Sequence, residues 1–93
     1  MGKYDTEPFP IYTSVNMGII VMEIISELID AKAKHPDWPT DLIHQIAIMS
    51  EESGEAVRAA LNHVYHGEDI SELRKELIQT AAMCIRCLEQ MEE

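Results

Sequence analysis

Proline and glycine are few in this 93-residue chain, and they leave long stretches without a helix breaker. The four prolines fall in two pairs, Pro8 with Pro10 and Pro36 with Pro39. Proline removes a backbone donor and restricts the residue before it, so each pair interrupts regular structure. The segments outside these pairs are long enough for helices of several turns, and the low aromatic content of 5% calls for an aliphatic core. The sequence therefore predicts an all-α fold in one domain.

A first helix is predicted from about Ser14 to Lys34, after an irregular N-terminal arm over residues 1–13 and within a single domain over residues 14–93. Apolar residues recur along this helix at the spacing of one helical face. The predicted core-facing residues are Val15, Ile19, Met22, Ile25 or Ser26, and Ile29. The acidic residues assigned to other faces are Glu23, Glu27 and Asp30.

Two further helices are predicted to form an antiparallel hairpin. The second begins near Thr40 or Asp41, either of which could cap it, and it ends at Gly67. In the third, Asp69 can serve as N-cap with Glu72 at the third helical position. A short loop near Gly67 favours antiparallel packing of the two helices. The predicted core-facing residues are Leu42, Ile46, Met49, Ser53, Ala56 or Val57, Ala60 and Val64, then Leu73, Leu77, Thr80 or Ala81, Cys84, Leu88 and Met91.

Three helices of this size form only a thin bundle. A chain this short buries only ~60–65% of the surface that it exposes when unfolded. The apolar face of the first helix is also long. We therefore expect a helical bundle completed by oligomerisation, as a homodimer or tetramer in which more than one subunit contributes to the core.

The formal net charge is −10, and no lysine or arginine stripe offsets it. Such a surface repels phosphate backbones, which argues against nucleic-acid or anionic-membrane partners. A bound metal ion could still screen the phosphates of a single nucleotide. The longest apolar run, residues 17–22, is too short to span a bilayer, and the N-terminus lacks the pattern of a signal peptide. We expect a cytoplasmic protein.

Two acidic pairs lie inside the second and third helical patterns. Glu52 with Glu55 and Glu76 with Gln79 each have i, i+3 spacing, which places both members of a pair on one helix face. In an antiparallel hairpin the two pairs differ in height by about one helical turn, at ~1.5 Å rise per residue. Three carboxylates held together repel one another unless protons or a cation neutralise them, and Mg²⁺ suits oxygen ligands. The pattern indicates a metal site with one altered ligand.

A solvated helix face is the simpler interpretation of these glutamates. Glu52 and Glu76, however, each border the apolar stripe of their helix rather than lying opposite it. Carboxylates at the edge of a packed face need a partner. Arg58 and Arg74 could supply one, and a metal ion is the alternative.

The run Glu51-Glu52-Ser53-Gly54-Glu55, followed about twenty residues later by Glu76 and Gln79, resembles the EExxE…ExxD pattern of the MazG-like all-α nucleotide pyrophosphohydrolases. The resemblance covers roughly residues 15–90. It implies a helical bundle completed by dimerisation or tetramerisation. It also implies Mg²⁺-dependent hydrolysis of a nucleoside or deoxynucleoside triphosphate to the monophosphate and pyrophosphate, with Mn²⁺ as a possible substitute.

The resemblance also assigns roles to individual residues. Glu52, Glu55 and Glu76 would be the Mg²⁺ ligands, and Glu51 could orient the attacking water from behind them. The family pattern has an aspartate where this chain has Gln79, whose amide oxygen carries no charge. Two alternatives follow: a working enzyme with altered ligation, or a catalytically degenerate relative acting as a nucleotide-binding or protein-interaction module.

Three other residues are candidates for substrate binding. Trp38 lies between two prolines, where it could cover the end of the bundle or stack on a nucleobase. His44 precedes the acidic run by two helical turns, and Lys75 adjoins Glu76. Surface solvation explains these last two equally well.

Cysteine and histidine pairs with zinc-ligand spacing are also present, Cys84 with Cys87 and His63 with His66. Hairpin geometry separates the two pairs by ~18 Å along the helix axis. We therefore expect reduced thiols in the core or at an interface.

Overall fold

The computed structural model describes residues 15–92, which form three helices and no strand. Helix α1 spans Val15–Lys34, α2 spans Leu42–His66 and α3 spans Ser71–Met91. The predicted all-α fold of three helices is confirmed. The predicted arm over residues 1–13 lies outside the described residues. No helix of residues 15–92 combines the length and apolar character needed to cross a membrane.

The ends of α2 are fixed by the two residues that the sequence indicates. Asp41 has an extended backbone, and its carboxylate accepts a hydrogen bond from the His44 backbone N–H at 2.9 Å. Gly67 adopts a left-handed conformation with φ of 69°, and its N–H donates to the Asn62 carbonyl. Glycine adopts this conformation at no steric cost, which makes it a common helix terminator.

The start of α3 differs slightly from the prediction. Ile70, rather than Asp69, occupies the cap position and makes no side-chain capping bond. The Asp69 carboxylate instead accepts a hydrogen bond from the Ser71 N–H at 2.8 Å. It therefore stabilises the turn that leads into the helix.

Helix α3 lies at the centre of the fold and packs against both other helices, whereas α1 and α2 do not pack against each other. The pair of α2 and α3 is the predicted hairpin. Helix α1 runs in the same direction as α3, because Glu23 in the middle of α1 pairs with Arg74 near the start of α3, and Lys32 near the end of α1 pairs with Glu89 near the end of α3. The Glu23–Arg74 pair is bidentate, with N···O distances of 2.5 and 2.8 Å, and the Lys32–Glu89 distance is 2.7 Å.

The core is small and is centred on Leu28 of α1 and on Ala82 and Met83 of α3. Partly buried apolar residues surround it. These are Ile24, Ala31, Trp38, Ile48, Met49 and Ile85. The loop after α1 therefore contributes Trp38 to the core, together with residues from all three helices.

The prediction of which face of α1 points into the core is wrong for the single chain. Val15, Met22 and Ile29 are 80%, 71% and 61% exposed, and the helix turns Leu28 to the core instead. The physical reason is that α1 is apolar around most of its circumference, so periodicity alone does not select one face. The face predicted to be buried is left without a covering partner in residues 15–92.

The predicted stripes of α2 and α3 are also partly exposed. Val57, Val64, Leu77 and Leu88 are each more than half exposed. Helix α3 is packed on two sides, so its most buried residues lie between the contacts with α1 and α2 rather than on the predicted stripe. The buried residues of α3 are Ala82, Met83, Arg86 and Cys87.

Candidate functional site

Three glutamates converge where α2 and α3 pack together. One carboxylate oxygen each from Glu52, Glu55 and Glu76 lies within 4.8 Å of the other two. Glu52 and Glu76 are half-buried, and Glu55 is exposed. The convergence predicted from the hairpin and the i, i+3 spacing is confirmed.

The donor set of this cluster fits a hard divalent cation. All three groups offer carboxylate oxygens, which Mg²⁺ and Mn²⁺ prefer over nitrogen or sulfur. A Mg²⁺ ion about 2.0–2.1 Å from each ligand holds two oxygens at most about 4.2 Å apart. The three oxygens lie within 4.8 Å of one another, which is close to that maximum.

Burial and mutual repulsion disfavour the charged forms of the cluster. Burial raises the pKa of Glu52 above its ordinary value, and the nearby charges of Glu55 and Glu76 raise it further. Burial likewise raises the pKa of Glu76, with a further contribution from Glu55 and a smaller opposing one from Lys75. A bound cation would relieve this repulsion.

The terminal amide of Gln79 faces two of the three carboxylates. With its nitrogen turned toward them, it donates to Glu76 Oε1 at 2.8 Å and to Glu52 Oε2 at 3.2 Å. A flip of the amide places its oxygen there instead, since oxygen and nitrogen have nearly the same shape. With the nitrogen inward, the amide stabilises the carboxylates without a cation. With the oxygen inward, it offers a fourth oxygen ligand to a cation.

A cavity of about 480 Å³ adjoins the cluster. Glu52 and Gln79 line it on the acidic side. Helix α1 and the loop after it contribute Glu27, Lys34 and Trp38. Helix α3 adds Met83 and Arg86. The cavity therefore carries both acidic and basic side chains, and α1 forms one of its walls.

Most of the residues that line this cavity are absent from the predicted site, and Glu27 and Arg86 are the two that bear most on its charge. Glu27 was assigned to a face of α1 away from the core, yet its charge contributes to raising the pKa of Glu52. Arg86 is not among the residues predicted from the acidic motif, although it lies two helical turns after Gln79 and so on the same face of α3. That spacing was the available signal for Arg86. For Glu27 the only signal was its position beside the buried Leu28.

The remaining predicted site residues lie at different distances from the cluster. Glu51 is exposed beside it, and its charge contributes to raising the pKa of Glu52. Trp38 packs against the core and lines the cavity. His44 is exposed in the first turn of α2 and does not line the cavity. Lys75 faces solvent and lies 3.9 Å from a carboxylate oxygen of Glu72.

The two cysteines of α3 are free thiols, and Cys84 is partly buried. Cys87 is buried, and its Sγ donates to the Gln45 carbonyl at 3.6 Å. Burial raises the pKa of the Cys87 thiol, and Cys84 adds to this effect. A raised thiol pKa suits a packing role rather than a reactive one.

Carboxylates from two helices, a neighbouring amide and an adjoining cavity are thus the features of residues 15–92 that bear most directly on function. Comparisons with protein-family models, with curated proteins and with solved structures found no match to this chain.

Proposed function

We propose that this protein is a cytoplasmic, MazG-like nucleoside triphosphate pyrophosphohydrolase. It would use Mg²⁺, or Mn²⁺ in its place, to convert an NTP or dNTP into the monophosphate and pyrophosphate. The convergence of Glu52, Glu55 and Glu76 within 4.8 Å is the observation that supports the proposal. It adds spatial proximity to the EExxE…ExxD spacing of the sequence.

In this proposal the cation supplies charge screening along the phosphate chain and lowers the pKa of a bound water. Glu52, Glu55 and Glu76 would hold it, and the amide oxygen of Gln79 would be a fourth, uncharged ligand. Glu51, exposed beside the cluster, accepts a hydrogen bond from the attacking water and orients it. Water would attack one phosphorus of the α–β linkage, and the bond from that phosphorus to the bridging oxygen would break. The bridging oxygen would leave with the other phosphoryl group, and the proton lost by the water would pass to solvent.

The cavity is large enough for the substrate. Its volume of about 480 Å³ lies within the ~300–1,000 Å³ range of small-ligand pockets. Because Glu52 and Gln79 line it, a phosphate chain bound at the metal site can extend into the cavity. Trp38 lines the same space, whereas Lys75 and His44 could contact only parts of a nucleotide that lie outside it.

We further propose that the active form is a homodimer or a tetramer. The outward face of α1 carries apolar side chains that residues 15–92 leave uncovered, among them Met22, Ile25 and Ile29. Water-soluble monomers rarely expose large continuous apolar patches. A second copy packed on this face would bury them and complete the thin core.

A second candidate function is favoured by the Gln79 amide. In the orientation that donates to both Glu76 and Glu52, it stabilises two carboxylates without any cation. A chain of this kind would retain the helical bundle as a nucleotide-binding or protein-interaction module without catalysis. Aspartate at this position would repel both glutamates and would require the metal.

Pyrophosphate release from a panel of NTPs and dNTPs, with Mg²⁺ or Mn²⁺, tests the enzyme proposal. We expect release from at least one nucleotide and none with EDTA. A folded protein that releases no pyrophosphate from any member of the panel would contradict catalysis. Calorimetric titration with Mg²⁺ and nucleotide then separates a degenerate binding module from a chain that has no site.

A further inference from the structure

Arg86 is a buried cation on the wall of the cavity. Only 5% of its surface is exposed, and its Nη2 donates to the His35 carbonyl at 2.7 Å. Its guanidinium carbon lies 4.3 Å from the centre of the Trp38 ring. Among residues 15–92, no carboxylate oxygen lies within 4.0 Å of the Arg86 guanidinium. Lys32, Arg74 and Lys75, in contrast, each have a carboxylate oxygen within that distance.

A buried guanidinium without a carboxylate partner is costly. Buried charges in proteins are usually paired or bound to a ligand of opposite charge. The carbonyl at the end of α1 and the face of an indole ring carry only partial negative charge. Arg86 also has five N–H donors in a planar fork, a shape that matches phosphate oxygens. Its surroundings therefore favour an anion in the cavity.

Both signs of charge line the cavity: Glu27, Asp37 and Glu52 are acidic, and Lys34 and Arg86 are basic. Glu52 and Gln79 adjoin the carboxylate cluster, whereas Lys34 and Arg86 provide positive charge from the C-terminal parts of α1 and α3. A ligand that fits this distribution carries negative charge along its length. One part binds a cation held by the carboxylates, and another part contacts the guanidinium. A polyphosphate chain has this character.

The Trp38 ring contacts both Arg86 and the core. One face of the ring is covered by the Arg86 guanidinium, and the side chain packs against the core residues Leu28, Ala82 and Met83. A nucleobase could stack on the covered face only by displacing the arginine. Trp38 is therefore suited to holding Arg86 in position rather than to binding a base.

We propose that Arg86, supported by Lys34 and positioned by Trp38, forms an anion subsite that binds a phosphoryl group of a polyphosphate ligand. The metal end of that ligand rests on the proposed function, whereas the subsite itself does not require hydrolysis. The nucleobase then lies outside the contact between Trp38 and Arg86.

Binding of inorganic triphosphate, with and without excess Mg²⁺, tests the subsite by calorimetry. We expect Arg86→Gln to weaken binding by roughly 10- to 100-fold, the usual effect of losing a charged hydrogen bond. The matched control is Arg58→Gln, which removes the same charge from an exposed position on α2 and is expected to leave the dissociation constant unchanged. Circular dichroism verifies the fold of each variant.

Lys34→Gln keeps the test decisive if Arg86→Gln does not fold. Lys34 is exposed at the end of α1, so its replacement leaves the core intact, and we expect a severalfold loss of triphosphate binding. Unchanged binding in every folded cavity variant would overturn the proposal, as would a wild-type protein that binds no triphosphate under either condition.

The only tryptophan of the chain provides a second measurement. Inorganic triphosphate has no base, so a change in Trp38 fluorescence on its addition would report the contact with Arg86. A nucleoside without phosphate is expected to cause no change. The opposite pattern would identify Trp38 as a base platform and overturn the proposal.

The experiments distinguish a failure of the anion subsite from a failure of the proposed function. Triphosphate binding that depends on Arg86, in a protein that hydrolyses no nucleotide, would support the subsite and contradict the enzyme. Nucleotide hydrolysis by a protein whose triphosphate binding does not depend on Arg86 would support the enzyme and contradict the subsite.

Discussion

Glu52 of α2 and Gln79 of α3 face each other across the helical hairpin, with the amide nitrogen 3.2 Å from Glu52 Oε2 when it is turned toward the carboxylate. The same amide reaches Glu76 Oε1 at 2.8 Å. One neutral side chain thus contacts two of the three clustered carboxylates. A cation bound at the cluster would favour the orientation with the amide oxygen inward, because a cation attracts the oxygen and repels the N–H groups.

Gln79→Asp is expected to tighten Mg²⁺ binding. The substitution adds a negative charge and a stronger oxygen ligand, although the shorter side chain reaches less far. We expect at least a tenfold decrease in the Mg²⁺ dissociation constant by calorimetry, about 1.4 kcal/mol. If the native chain is a weakened enzyme, pyrophosphate release rises in parallel. The control Gln90→Asp adds the same charge near the exposed end of α3. Equal Mg²⁺ affinity in Gln79→Asp and the wild type would contradict the assignment of position 79.

Glu55→Gln is expected to abolish measurable Mg²⁺ binding and any nucleotide hydrolysis. Glu55 is exposed, so the change removes one ligand charge without disturbing the core. The matched control Glu68→Gln makes the same change in the exposed loop between α2 and α3 and is expected to behave as the wild type. Indistinguishable Mg²⁺ titrations for the two variants would show that Glu55 is not a ligand.

The metal-free protein is expected to lose stability as the pH rises through the titration of Glu52 and Glu76. Both have a pKa raised above that of an unfolded-chain glutamate, about 4.3. The folded state therefore holds protons that the unfolded chain has released, and this contribution is complete below about pH 4.3 and is lost above the raised values. Glu23 and Asp69, whose pKa values are lowered, act in the opposite direction. Comparison with a variant is needed to isolate the effect.

Glu52→Gln provides that comparison. The free energy of unfolding of both proteins would be measured in urea from about pH 4 to about pH 8. At neutral pH without metal, the variant is expected to be more stable than the wild type by on the order of 0.5 kcal/mol, because a repelled carboxylate is removed. Excess Mg²⁺ is expected to reverse the order, since only the wild type gains binding energy. A wild-type pH dependence that the variant reproduces in full would exclude Glu52 as its source.

Substitution of the outward face of α1 is expected to dissociate the proposed oligomer. Met22→Glu and Ile29→Glu each place a charge where we expect a subunit contact, and sedimentation velocity would then detect monomers. Asn16→Glu adds the same charge at an exposed position on the polar face of α1, the face of Glu23 and Glu27, and serves as control. A wild-type protein that sediments as a monomer would contradict the homodimer itself.

Local sequence signals were sufficient for the ends of α2 and for the acidic cluster. The Asp41 cap and the left-handed Gly67 depend on neighbouring residues only, and a short loop brings Glu55 and Glu76 together by simple helical geometry. Such features need no knowledge of how distant segments pack.

The placement of α1 was not predictable in the same way. Its sequence is apolar on several faces, so the choice of Leu28 for the core and the exposure of Ile29 depend on contacts with α3. The positions of Glu27 and Arg86 in one cavity follow from that same packing. Both were missed because neither belongs to the acidic motif, and an arginine is seldom buried.

The attachment of α1 to α3 alone has a consequence for access to the cavity. Since the backbone of α1 approaches only that of α3, a local opening of α1 would leave the α2–α3 contacts in place, and a local opening costs less free energy than global unfolding. Glu27 and Lys34 would leave with α1, whereas the three clustered glutamates would remain in place. The cavity is thus formed by two parts that are attached differently: α1, whose backbone neighbours α3 alone, and the α2–α3 hairpin, which carries the clustered glutamates.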